Sequence, residues 1–256
     1  MVFASRLKNV AQSLENSVPL LEIEGLTKSF GGLIAVKNVG FDINKGEIVG
    51  LIGPNGSGKT TLFNLITGFI KADTGKVKFK GEDITGLSPH RIARKGIGRT
   101  FQIPQLFSNM TVYQTVLVGV LFGRKRKENT AERVNAVLKL VGLSDKADML
   151  CGQLSGPDKK RVELARALTQ HPTLLLLDEV LAGLNPSEIE QAIKLIKHLR
   201  ELGITILMVE HIIGAIMQVS DRVIVLNYGE KIAEGAPSEV VKAEQVIRAY
   251  LGAAYA

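Results

Sequence analysis

Short, nearly unbroken apolar runs alternate along this chain with longer segments whose apolar residues recur at helical spacing. Residues 47–52, 173–177, 204–209 and 222–226 are runs of the first kind. A strand covered on both faces has no polar side to show, so each reads as an inner strand of a parallel sheet. Leu21-Glu22-Ile23-Glu24 alternates apolar with polar residues and predicts a half-buried strand, as do residues 36–43 and 76–80. Helical spacing covers 59–69 through Leu62, Phe63, Leu65, Ile66 and Phe69. Ser88-Pro89 predicts a helix start and Gly96 its end. Asn185-Pro186-Ser187-Glu188 supplies a cap, a proline at the first helical position and a glutamate at the third. Residues 211–219 and 237–251 read as helices, and 231–233 pairs back on 222–226 across the Tyr228-Gly229 turn. Repeated strand–helix units predict an α/β fold around a largely parallel sheet.

Residues 111–170 interrupt that alternation and read as helical throughout, most clearly over 131–141 and 157–169. The predicted organisation is an extension over 1–19 followed by one domain over 20–256. Within it, 20–103 and 171–256 form a core and 104–170 a helical lobe.

Composition narrows the classes. The 256 residues are 45% hydrophobic, enough for a sizeable core, and the absence of Trp argues against a stacking platform. The excess of 32 basic over 25 acidic residues gives +7, a surface suited to nucleic acid, to an anionic membrane face, or simply to solubility. Arg124-Lys125-Arg126-Lys127 reads as a solvated charge run, with a headgroup or nucleic-acid role as the lesser reading. Cys151 is the sole cysteine, so no intrachain disulfide forms; it reads as structural. The N-terminal residues lack the apolar stretch of a signal peptide. The most apolar stretches, 116–122 and 174–177, fall far short of the roughly 20 residues a spanning helix needs. Any membrane link is therefore expected to run through a partner.

The chemistry starts at Gly53-Pro54-Asn55-Gly56-Ser57-Gly58-Lys59-Thr60, followed by Thr61, between an apolar run and a helical segment. The run fits the phosphate-loop pattern G-x-x-x-x-G-K-[ST]. Its glycines let the backbone turn several N–H groups inward at phosphate oxygens, and the following helix adds its positive end. Lys59 supplies a full charge to the terminal phosphates of a nucleotide, and Thr60 a hydroxyl to Mg²⁺. A second apolar run ends in Asp178-Glu179. Alone, such a pair could equally cap the next segment. Beside a phosphate loop, Asp178 suits Mg²⁺ and Glu179 suits activation of the attacking water. His211 follows another strand end, on the rim where open parallel sheets bind ligands.

Together these residues resemble the ATP-binding-cassette (ABC) ATPases, in the expected order over 21–251. The resemblance implies a P-loop NTPase core with a mainly parallel sheet, an N-terminal antiparallel β region and an inserted helical lobe. It implies ATP and Mg²⁺ as cofactors, with Thr60, Gln102 and Asp178 at the metal and Glu179, Gln102 and His211 in catalysis. By resemblance Phe30 stacks on adenine, and Gln102 of Arg99-Thr100-Phe101-Gln102 also links to the transporter subunit. Leu154-Ser155-Gly156 resembles the start of the family signature, where Ser155 and Gly156 meet the terminal phosphate of ATP on the other protomer. Ala182-Gly183-Leu184-Asn185 resembles the loop that passes between protomers. Phe30-Gly31-Gly32, Gly98–Gln102, Ala182–Pro186, Val209-Glu210-His211 and Ile247-Arg248-Ala249-Tyr250-Leu251-Gly252 are most similar to the branched-chain amino acid importer ATPases.

The implied function is the ATP-hydrolysing motor of a transporter, importing branched-chain or related amino acids. Lipid or lipopolysaccharide export and a weakly hydrolysing regulatory subunit are the alternatives. Implied partners are a second cassette, identical or paralogous, integral membrane permease subunits and a substrate-binding protein, with no nucleic acid. The implied location is cytoplasmic, on the inner face of the cell membrane, with coupling through a groove around residues 103–107. The chain departs from the family at Pro157-Asp158, where the signature continues Gly-Gln, and at Val180, where proline is common. Proline removes an N–H and Asp158 adds a negative charge that Lys159, Lys160 and Arg161 are expected to offset. The composite site is accordingly expected to be slow but active.

Overall fold

The computed structural model describes residues 18–122 and 129–251. The run Arg124–Lys127, most of the expected N-terminal extension and Gly252 lie outside the described residues. β1 (Leu21–Phe30), β2 (Leu33–Ile43), β4 (Thr74–Phe79) and β5 (Glu82–Asp83) form one antiparallel sheet in the order β2-β1-β4-β5. The second sheet has six strands in the order β10-β9-β3-β8-β7-β6. It comprises β3 (Ile48–Ile52), β6 (Ile97–Arg99), β7 (Leu174–Asp178), β8 (Thr205–Val209), β9 (Arg222–Asn227) and β10 (Glu230–Gly235). All its pairings are parallel except β9 with β10.

The continuous apolar runs follow from burial on both faces. Ile48, Ile52, Leu175, Leu177, Ile206, Met208, Val223 and Val225 point into a core shared with the helices. Their alternates Val49, Leu51, Leu174, Leu176, Leu207, Val209, Ile224 and Leu226 point into a second core. That core also takes the antiparallel sheet and α1 (Lys59–Ile66), through Leu62, Phe63, Leu65 and Ile66. α1 is shorter than the spacing predicts. The Thr67 hydroxyl donates to the Phe63 carbonyl, and Gly68 turns left-handed at φ 74, so Phe69 lies past the end and is exposed.

α2 (Pro89–Lys95) starts after Ser88 and stops at left-handed Gly96, as the sequence predicts. The stretch 111–170 is not helical throughout. α3 (Val112–Leu121), α4 (Thr130–Leu140) and α5 (Gly156–Leu168) pack together, but Gly142 (φ 71) ends α4, and the chain then returns beside the start of α3. There Val112 donates to Met149, Tyr113 to Ala147 and Cys151 to Met110. Backbone groups at a helix start that lack internal partners are met in this way. Cys151 is buried with its Sγ 3.2 Å from Thr115 Oγ1.

α6 (Pro186–Glu201) begins with the predicted reciprocal cap between Asn185 and Glu188. α7 is Ile213–Val219, leaving His211 on the loop before it. The predicted C-terminal helix is two pieces, α8 (Pro237–Val240) and α9 (Glu244–Leu251). Each buries one valine, Val240 and Val246. In one straight helix those two would face about 120° apart, off any single narrow stripe.

α3 meets α5 at Gly119, where a Cβ would stand 2.3 Å from Thr169 Oγ1 and 3.0 Å from the Arg166 carbonyl. Gly119→Val is expected to lower unfolding stability by about 1–3 kcal/mol, read from the denaturant midpoint.

Candidate active site

The phosphate loop leaves β3 and enters α1. Gly58 has φ 102, and a Cβ there would sit 2.3 Å from the Ala35 carbonyl, so only glycine fits between loop and β2. At Gly53 a Cβ would strike the Leu226 carbonyl at 2.1 Å. Lys59 is buried, and its ammonium donates to the carbonyls of Gly53 (2.7 Å) and Pro54 (2.9 Å). Burial pulls the Lys59 pKa down, with Glu179 and Asp178 opposing. A cation held against its own loop and short of a counter-charge is suited to exchange those carbonyls for phosphate oxygens. Tyr250, on α9, accepts from the Gly53 backbone N–H, and burial raises its pKa.

β7 ends at Asp178, whose backbone N–H donates to Thr100 Oγ1 at 3.1 Å. Its Oδ2 pairs with Arg99 at 3.1 Å, while its Oδ1 is buried without a partner. Burial raises the Asp178 pKa, and Arg99 works against that rise. The next residue, Glu179, is left-handed at φ 49, and its N–H donates to the Val209 carbonyl at 2.9 Å. That turn aims its carboxylate sideways. Gln102 Nε2 donates to Oε2 at 2.7 Å, and His211 Nε2 lies 2.8 Å from Oε1.

An open cleft of about 590 Å³ collects most of the predicted residues: Phe30, Lys59, Thr60, Gln102, Glu179 and His211, with Asn55–Gly58 and Thr61. Leu33, Ile34, Ala35 and Tyr228 complete its wall. Tyr228 is 85% exposed, and the sequence offered no signal for it beyond its turn. Ser155 and Gly156 are not in this cleft. They start α5, where the Ser155 hydroxyl caps Asp158 N–H and donates to Asp158 Oδ2 at 2.9 Å.

The charge of Asp158 is met differently from the expectation. Lys146, distant in sequence, reaches its Oδ2 at 2.6 Å, and Arg161 stands 4.0 Å from Oδ1. Burial pushes the Asp158 pKa up, but the bonds from Lys146 and Ser155 outweigh it and hold the carboxyl below its ordinary range. Lys160 turns the other way and donates to the carbonyls of Glu179 (2.8 Å) and Ala182 (2.6 Å). Pro157 and Val180, the two family departures, line one cavity of about 240 Å³ beside Lys160 and Leu164.

Two buried glutamates went unmarked in the sequence. Glu163 of α5 accepts from the backbone N–H groups of Phe101 (3.0 Å) and Gln105 (3.1 Å), fastening the segment that carries Gln102. Glu210 accepts from Leu181 N–H at 2.7 Å, steadying the chain after Glu179. Neither partner is near in sequence, so no local pattern betrays them. A groove lined by Phe69, Ile92, Phe101, Val118 and Phe122 lies nearby; exposed Ile103 and Phe107 are not among its lining residues.

The ABC transporter family profile matches residues 36–182. The chain belongs to the ABC transporter ATP-binding family. A second profile, for branched-chain amino acid ATP-binding cassette transporters, matches 230–256. The cassette is 40% identical to the high-affinity branched-chain amino acid transport ATP-binding protein BraF of Pseudomonas aeruginosa, over 93% of this chain and all of the relative. The ADP conformation of MJ1267, an ATP-binding cassette of an ABC transporter, superposes with a TM-score of 0.83 at 35% identity, covering 92% of this chain and 100% of that one. The dimeric post-hydrolysis structure of the cassette MJ0796, bound to ADP and Pi, gives 0.78 at 30% identity, over 85% and 98%. The cassette is thus an ABC ATPase with the α/β fold of that family. No helix among the described residues is long and apolar enough to cross a membrane.

Burial, opposed by the Leu181 N–H and Lys160, raises the Glu210 pKa to about 7. A carboxyl raised in the fold binds more protons than the unfolded chain, so stability falls as pH climbs from about 4.5 to 7. Glu210→Gln should lose this slope: between pH 5 and pH 8 its Tm, by calorimetry, is expected to rise relative to that of the unsubstituted chain.

Proposed function

We propose that this cassette hydrolyses Mg-ATP to drive an importer of branched-chain or related amino acids. The observation that carries the hydrolytic reading is Glu179, held between Gln102 and His211 at the mouth of the phosphate-loop cleft. Likeness to BraF and the C-terminal profile match support the substrate class.

In this reading Phe30 stacks on adenine and the loop N–H groups of Gly53–Thr61 cradle the phosphates, with Lys59 at the terminal ones. The buried, unpartnered Asp178 Oδ1 suits a cation that takes one carboxylate, the Thr60 hydroxyl, phosphate oxygens and water. When bound, Mg²⁺ neutralises charge on the phosphates. Glu179 takes a proton from the attacking water, while Gln102 and His211 orient its carboxylate.

The second protomer, identical or paralogous, presents Ser155 and Gly156 to the terminal phosphate. A dimeric relative bound to ADP and Pi supports the pairing of two cassettes. We read 20–103 and 171–256 as the catalytic core and 104–170 as the helical lobe. Permease subunits at the inner face of the membrane and a substrate-binding protein complete the assembly.

The test is steady-state ATPase activity of the purified chain beside Glu179→Gln. The expected result is a fall of about 100- to 10,000-fold with ATP binding retained. Unchanged turnover in the variant would remove Glu179 as the base.

The Ser155 hydroxyl donates to Asp158 of its own turn, and Pro157 removes a neighbouring N–H. Pro157→Gly with Asp158→Gln therefore frees donors for the partner's ATP, and turnover is expected to rise about 10- to 100-fold, what one charge-assisted hydrogen bond contributes. A double variant no faster than the parent would count against a restrained composite site.

A further inference from the structure

We propose that Arg99 is a positioning residue for the metal, gripping one oxygen of Asp178 so that the other is presented to the ion. This rests on the reading of Asp178 as the metal carboxylate. Arg99 ends β6 with its side chain 7% exposed, and Asp178 is 2% exposed. Three ring faces surround the guanidinium, Phe63 at 5.6 Å, Phe69 at 5.6 Å and Phe101 at 4.8 Å. One of its nitrogens donates to Asn64 Oδ1 (2.7 Å) and Thr67 Oγ1 (2.9 Å), and the other to Asp178 Oδ2 (3.1 Å).

The geometry departs from the usual fork. An arginine free to choose binds a carboxylate through both oxygens. Here Asn64 and Thr67 take one end of the guanidinium and the rings fix its plane, so the pairing is one-armed. Asp178 Oδ1 is left buried and unpaired. Such an orphan is costly unless something else meets it. Arg99 thus holds Asp178 by one oxygen without occupying the oxygen that matters. Asn64 belongs to the helix that begins at Lys59, and Thr67 caps its end, so the same side chain locks that helix to β7.

The test is Mn²⁺ binding, read by electron paramagnetic resonance, to the full chain carrying one ADP. Variants are Arg99→Met, Arg99→Lys, Asp178→Asn and the double Arg99→Met with Asp178→Asn. ADP binding in EDTA serves as the fold check. Arg99→Met is expected to weaken Mn²⁺ binding about 10- to 100-fold with ADP binding in EDTA unchanged. Arg99→Lys, which keeps the charge without the fork, should fall between. The double variant should bind Mn²⁺ no more weakly than Asp178→Asn. Wild-type Mn²⁺ affinity in both Arg99 variants, or a double variant weaker than Asp178→Asn by the full Arg99→Met factor, would overturn the proposal. If Arg99→Met loses ADP binding, Arg99→Lys decides. Asp178→Asn with undiminished Mn²⁺ affinity would instead remove the metal reading of Asp178 itself.

Discussion

Everything in the site hangs on the register of three parallel strands. Leu51 of β3 and Asp178 of β7 both lie opposite Val209 of β8. Parallel strands end on the same side, so the phosphate loop, the Asp178-Glu179 pair and Glu210-His211 emerge together on one rim. A slip of one residue would send the apolar set of a strand into the wrong core and its carboxylates off the rim. Because each of these strands alternates between two cores, the same burial that stabilises the sheet also holds the geometry of the candidate site.

The ionic groups around that rim are buried in answered sets. Arg99 faces Asp178, Glu163 meets two backbone N–H groups and Arg166, and Glu210 meets Leu181 N–H. Single surface ion pairs contribute little, but a buried charge without a partner is costly, so each set constrains its loop strongly. Glu179 differs: its neighbours Gln102 and His211 come from separate loops, and its backbone is held left-handed. Its direction is set by the turn and by those two neighbours.

What was legible in the sequence was local. The phosphate loop declares itself in eight consecutive residues because backbone conformation and charge must sit together there. Asp178 and Glu179 are visible because an apolar strand stops at them, and Asn185 with Glu188 because a reciprocal cap spans one turn. What stayed hidden is carried by contacts across the fold. Lys146 reaches Asp158, Arg99 reaches Asp178, and Glu163 holds residues 101 and 105, with nothing in local spacing to mark them. The stretch 111–170 reads as more helical than it is because the return past Gly142 is apolar enough to mimic helix, yet its backbone serves the start of α3.

The Lys160 ammonium reaches from the second turn of α5 to the carbonyls of both Glu179 and Ala182. Its three donors make it a rivet between the helix proposed to face a neighbour's nucleotide and the loop that carries Glu179. Tilt the helix, and the loop must travel with it or the rivet must shear. In the paired arrangement proposed above, a shift of that helix in one chain would be felt as strain on the backbone of Glu179 in the same chain.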